Sequence, residues 1–151
     1  MNKRIICLCA MLTLCLSAFS QEGASRLTFK DIFEGRVVPK KEMNQTFVRG
    51  DKLKRLNLDS FNCICFEADE QRLDQVEEIV RRTVDNSPGA ETEFDGERLV
   101  YAFVILPKSP TGKKRYLGYQ IAQDEETYLV TMLYLTGDAS LRELKRKLER
   151  R

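Results

Sequence analysis

Residues 99–135 decide the fold. They comprise Leu99-Val-Tyr-Ala-Phe-Val-Ile-Leu106, a basic turn, Arg115-Tyr-Leu-Gly-Tyr-Gln-Ile-Ala122, an acidic turn, and Thr127-Tyr-Leu-Val-Thr-Met-Leu-Tyr-Leu135. Runs rich in β-branched and aromatic residues, separated by short polar turns, are typical of β-strands. The stretch therefore predicts an antiparallel meander that the rest of the chain precedes or covers.

The chain before the meander adds strands and a helix. Apart from Asn62 and Glu67, residues 61–67 are apolar on both faces, which indicates a central strand. Apolar residues then recur at three- and four-residue steps over 73–84, the pattern of an amphipathic helix. Residues 90–94 form a short strand, and Asp95-Gly96 is a hairpin signal leading into the meander.

A second helix follows the meander, because Ser140-Leu-Arg-Glu143 is a capping box and leucines recur beyond it. The order β-α-β-β-β-β-α over residues 59–151 predicts an α+β fold. We expect a two-layer sandwich, with a mainly antiparallel sheet and two helices on one face. Residues 21–58 carry scattered hydrophobic side chains and are predicted to be an N-terminal arm that wraps this domain.

Residues 1–20 have the features of a signal peptide. Lys3 and Arg4 precede an apolar core over 5–18, and Ala18-Phe-Ser20 provides small residues for cleavage before Gln21. The core is shorter than the roughly 20 residues that span a bilayer. The prediction is a bacterial protein exported to the periplasm or outside the cell, without a stable membrane anchor after cleavage; a retained anchor is the alternative.

The composition excludes several classes of function. Without Lys3 and Arg4 the chain has 23 basic and 23 acidic residues, and such a neutral chain has no electrostatic footprint for nucleic acid. No histidine is present, which excludes Ser-His-Asp and Cys-His arrangements. No catalytic, cofactor or metal residue is assigned. Four acids lie around one hairpin and are interpreted as a solvated edge rather than a cation site: Glu91, Glu93, Asp95 and Glu97.

Two cysteines, Cys63 and Cys65, remain after the signal is removed. Residues two apart on a strand share a face, with Cα atoms about 6.5–7 Å apart, which is at the limit for a disulfide. We predict two reduced, buried thiols. Intermolecular pairing in an oxidising compartment is the alternative.

One face of the predicted sheet is a candidate interaction surface. It is too apolar to sit fully in water, and it includes Tyr116, Tyr128, Val130, Met132 and Tyr134. Either the arm covers this face, or a protein partner or a second copy of the chain does so.

The end of the meander, Leu133-Tyr-Leu-Thr-Gly-Asp-Ala-Ser-Leu141, resembles the close of small exported Bacteroidetes domains of unknown function. The resemblance covers roughly residues 59–150 as a pattern, and Thr136-Gly-Asp138 is its most specific part. It implies a β-α-β-meander-α body and no established activity or catalytic residues.

The prediction is an exported, non-enzymatic module that binds another protein or itself through the tyrosine-bearing face or an edge strand. A small-ligand or carbohydrate-binding envelope protein is an alternative, which predicts a concave pocket lined by tyrosines. A small hydrolase or thiol-redox helper using Cys63 and Cys65 is another, which predicts an exposed thiol with a lowered pKa.

Overall fold

The computed structural model describes residues 27–148, and the predicted signal peptide lies outside them. The described residues form one six-stranded sheet with helices on both faces. The helices are α1 (Phe29–Phe33), α2 (Glu70–Asp85) and α3 (Leu141–Leu148), and the strands are β1 (Met43–Arg49), β2 (Leu58–Ala68), β3 (Gly89–Asp95), β4 (Arg98–Leu106), β5 (Lys114–Asp124) and β6 (Thr127–Gly137). Two 3₁₀ turns, Lys40–Glu42 and Asp51–Leu56, flank β1.

The strand order is β1-β2-β6-β5-β4-β3, and every neighbouring pair is antiparallel. This confirms the predicted α+β fold with a mainly antiparallel sheet. The meander β4-β5-β6 lies inside the sheet, β2 adds to one side of it and β3 to the other. Helix α2 connects β2 to β3 across one face of the sheet. The two edge strands are β1 and β3.

The main core lies between the sheet and α2. Asp69 caps this helix by accepting a 2.8 Å hydrogen bond from the Arg72 N–H. The apolar stripe of α2 packs on sheet residues that include Ile64, Val130 and Met132. The arm contributes to the same core, because Ile32 of α1 and Val38 behind it are fully buried.

A second, smaller core lies on the opposite face of the sheet. It joins the turn 51–56 and helix α3 to the sheet, with Leu53 and Leu144 packed beside Phe103, Tyr116 and Leu135. Helix α3 therefore does not share a face with α2, and the prediction of two helices on one face is wrong in this respect. The sandwich has a partial third layer.

The chain that leaves β6 explains this placement. The N–H groups of Asp138 and Ala139 both bond to the carbonyl of Asn57, at 3.1 and 2.9 Å, which ties the start of α3 to the turn before β2. A Cβ at Gly137 would lie 2.6 Å from the Leu58 Cα, so only glycine allows this close approach. The predicted capping box is present, with the Ser140 N–H bonded to Glu143 at 2.9 Å.

The segment predicted as an arm is part of the sheet. It supplies the edge strand β1, which pairs with β2 along its whole length. It also supplies residues to both cores, through α1 on one face and the turn 51–56 on the other. The sheet therefore begins at Met43, before the predicted start of the domain at residue 59.

Candidate interaction surface

The five residues of the predicted interaction face do not lie together on one open surface. Val130 and Met132 face α2 and are fully buried. Tyr128 and Tyr134 share their face and are partly buried against the same core, whereas Tyr116 lies on the opposite face in the second core. Helix α2 covers most of the face that carries Val130 and Met132, and α1 of the predicted arm covers the face at Tyr134.

Each of the three tyrosines has a packing or hydrogen-bonding role. Tyr134 packs against Phe29 and Phe33 of α1, with ring centroids 5.4 and 6.2 Å apart. The Tyr128 hydroxyl donates to Glu70 at 3.1 Å. The Tyr116 hydroxyl donates to the Ala139 carbonyl at 2.7 Å, which fastens the segment that leads into α3.

A charged groove of about 750 Å³ lies between α2 and the β3–β4 hairpin. Its centre is Glu77, a buried carboxylate in the otherwise apolar stripe of α2. Glu77 accepts hydrogen bonds from the Leu99 N–H at 3.0 Å, from Arg98 at 2.6 Å and from Arg81 at 2.8 Å. Sequence reasoning missed this residue, although its position one turn after Leu73 placed it on the buried side of the helix.

The side chains that line the groove form a network of ion pairs. Arg98 also contacts Asp74 at 2.7 Å and Glu70. Burial alone would raise the pKa of Glu77, but the hydrogen bonds from Leu99, Arg98 and Arg81 outweigh it and lower that pKa. A carboxyl group held ionised in this way is poorly matched to general acid–base work near neutral pH.

Cys63 and Cys65 lie on the face opposite α2, partly exposed and not disulfide-bonded. The Cys65 Sγ is 3.7 Å from the Thr131 hydroxyl. Burial, and then the neighbouring Cys65, raise the pKa of the Cys63 thiol. A reactive thiol needs a lowered pKa, so this environment does not favour the thiol-redox alternative.

The acidic hairpin is an exposed edge. Glu91 pairs with Lys145 of α3, and Glu93 and Asp95 are exposed along β3. Across residues 27–148 no three side chains of the metal-ligating types are grouped to hold an ion. Over the same residues, no helix has the length and apolar character that crossing a membrane requires.

The two edges of the sheet differ in charge. Strand β3 carries three acids in seven residues, whereas β1 reads Met43-Asn-Gln-Thr-Phe-Val-Arg49 and has no charged residue before its last. Natural proteins commonly protect an edge strand with charged side chains, because its free N–H and C=O groups can pair with another chain. By that criterion β3 is protected and β1 is open.

Strand β1 also presents one of the two most exposed large apolar side chains of the described residues; the other is Phe94 of β3, at 52%. The Phe47 side chain is 53% exposed, and the Arg49 guanidinium lies over its ring, 4.9 Å from the centroid. Sequence reasoning named an edge strand as one interaction route but did not identify β1, because strand order is not readable from local pattern.

A family model described as Family of unknown function (DUF6108) matches residues 13–148. No curated protein matches the chain, and no solved structure matches it.

Proposed function

The chain belongs to the Family of unknown function (DUF6108), and because that membership carries no activity, we propose a function from its geometry. It is an exported, non-enzymatic interaction module that adds a strand of a partner to β1. The observation that carries this proposal is the uncharged open edge of β1, set against the acidic edge of β3.

Strand addition supplies affinity through main-chain hydrogen bonds and specificity through alternate side chains. β1 is seven residues long and lacks proline, so each residue that faces the free side of the strand keeps both its N–H donor and its C=O acceptor. Phe47 offers a partly exposed aromatic anchor beside this edge, and aromatic side chains are typical centres of binding energy.

The first test uses peptides rather than an unknown partner. Heptapeptides that bind the purified protein are selected from a displayed library of random sequences. The affinities of the selected peptides are then measured for the Thr46→Lys and Thr92→Lys variants. Thr46 and Thr92 are the central residues of β1 and β3, and both are exposed. We expect at least tenfold weaker binding to the Thr46 variant only. Equal binding to both variants would overturn the assignment to β1.

Export is supported by the features of residues 1–20, which lie outside the described residues. Expression of the full chain in a Gram-negative bacterium, followed by cell fractionation and intact-mass measurement, tests it. We expect the protein in the periplasm or medium, with its first residue at Gln21. An uncleaved chain in the cytoplasm or inner membrane would contradict export.

A second candidate function is binding of a small carbohydrate-like ligand. A groove of about 310 Å³ lies between α1 and β1, with Phe29, Phe33 and Tyr134 beside the amides of Gln45 and Asn62. Aromatic surfaces with a few polar groups are typical of small-ligand sites. Screening glycans by ligand-observed NMR against the protein and its Tyr134→Ala variant tests this; binding that the substitution leaves unchanged would exclude this groove.

A further inference from the structure

We propose that the partner of β1 is a second copy of this chain. The two β1 strands pair antiparallel about a twofold axis perpendicular to the sheet, so that two six-stranded sheets become one of twelve strands. This inference rests on the proposed function, because it names the occupant of the same open edge.

The sequence of β1 is complementary to itself in this arrangement. With Thr46 opposite Thr46 of the second copy, all seven residues of the strand are paired. Gln45 then lies opposite Phe47, and Asn44 lies opposite Val48. No charged side chain faces another of the same sign, and a cross-strand threonine pair is a favourable contact.

The twofold contact brings the exposed aromatic rings together. Phe47 pairs with Asn62, which pairs with Tyr134, so Phe47 lies on the α1 side of the sheet. In the proposed register the two Phe47 residues are diagonal neighbours, about 7–8 Å apart, which is within reach of aromatic side chains. Dimer formation thereby removes one of the two most exposed large apolar side chains of residues 27–148 from water.

The paired segment is β1 alone, because it ends on both sides at the 3₁₀ turns Lys40–Glu42 and Asp51–Leu56. In the register about Thr46, Met43 of one copy lies opposite Arg49 of the other at both ends of the interface, so no like charges are opposed along the strand.

The β3 edge does not offer the same contact. Two β3 strands paired in this way would bring Glu91, Glu93 and Asp95 of both copies together, which like-charge repulsion disfavours. A β1–β3 contact would be heterologous and would leave a free edge at each end of a growing array. The twofold β1 contact instead closes after two copies, and closed twofold dimers are the commonest oligomers.

Sedimentation velocity under reducing conditions tests the inference, with the wild type, Thr46→Lys and Thr92→Lys each measured from 1 to 100 µM. Thr46→Lys places two lysines directly opposite each other on the axis. We expect a wild-type dimer, a dissociation constant at least tenfold higher for Thr46→Lys, and no change for Thr92→Lys. Far-UV circular dichroism checks folding, and Phe47→Glu, at an exposed site, replaces any Thr46 variant that fails to fold.

The other outcomes overturn the inference in distinguishable ways. A wild-type dimer that neither β1 substitution weakens would place the contact elsewhere. A wild-type monomer, with selected peptides still dependent on Thr46, would overturn self-pairing and leave the interaction module standing. A monomer without Thr46-dependent peptides would overturn both proposals.

Discussion

The substitution Ile32→Ala measures how firmly the N-terminal segment covers the sheet. Ile32 lies in the five-residue helix α1 and is fully buried in the main core. The change removes three buried carbon atoms, each worth about 0.8 kcal/mol of transfer free energy. The cavity left behind adds to this, so we expect the free energy of unfolding to fall by about 3–4 kcal/mol.

Urea denaturation followed by circular dichroism measures this change. Lys30→Ala is the matched control, because Lys30 is exposed in the same helix and its loss should change the free energy of unfolding by less than about 0.5 kcal/mol. A loss below about 1 kcal/mol for Ile32→Ala would refute the reasoning. It would mean that α1 packs too weakly to be the native cover of this face.

Three further substitutions and one alkylation reaction test the interior. The Tyr119 hydroxyl is buried without a hydrogen-bond partner in the described residues, so Tyr119→Phe should leave the free energy of unfolding unchanged or raise it by up to about 1 kcal/mol. Tyr116→Phe loses the bond to Ala139 and should lower it by about 1 kcal/mol in the same urea titration. Because the pKa of Glu77 is lowered by folding, its stabilisation is present above the ordinary glutamate pKa of about 4.3 and is lost as the pH falls through the folded-state pKa. Glu77→Gln should therefore reduce the fall in the free energy of unfolding as the pH is lowered into the acid range. A fall of the same size in the wild type and the variant would contradict this. The raised pKa of Cys63 predicts slower iodoacetamide alkylation at pH 7.5 in the folded than in the urea-unfolded protein, and equal rates would contradict it.

The central elements were predictable because their signals are local. The alternation of β-branched and aromatic residues in 99–135 predicted three strands, and the structure has strands at Arg98–Leu106, Lys114–Asp124 and Thr127–Gly137. The apolar stripe after Asp69 likewise predicted α2, which spans Glu70–Asp85. The spacing of apolar residues and the identity of capping residues depend on neighbours in the sequence. A single sequence is therefore enough to predict these elements.

The position of α3 was not predictable, because it depends on a distant contact. The capping box and leucine spacing predict the helix but do not say which face it covers. That choice follows from the Asn57 carbonyl, which binds the N–H groups of Asp138 and Ala139 across about 80 residues of sequence. The buried Glu77 is a similar case, since its partner Arg98 lies on a strand beyond the end of its helix.

The candidate surface was only partly predictable. A sequence shows that Tyr128 and Met132 share a face, but not that α2 and residues 27–38 together cover it. It also shows that residues 44–48 are uncharged, but not that they form a sheet edge. Burial and edge position are both properties of strand order, which local patterns do not fix.

Disulfide trapping across the twofold axis tests the self-pairing of β1 most directly. In a background with Cys63→Ser and Cys65→Ser, Thr46→Cys places one thiol on the axis. Directly opposed residues of antiparallel strands have Cα atoms about 4.5–5.5 Å apart, within the range for a disulfide. The matched control is Thr92→Cys at the centre of β3. Mild oxidation at micromolar concentration should convert the Thr46→Cys protein to a covalent dimer at least tenfold faster than the control, and equal rates for the two proteins would contradict the β1 dimer.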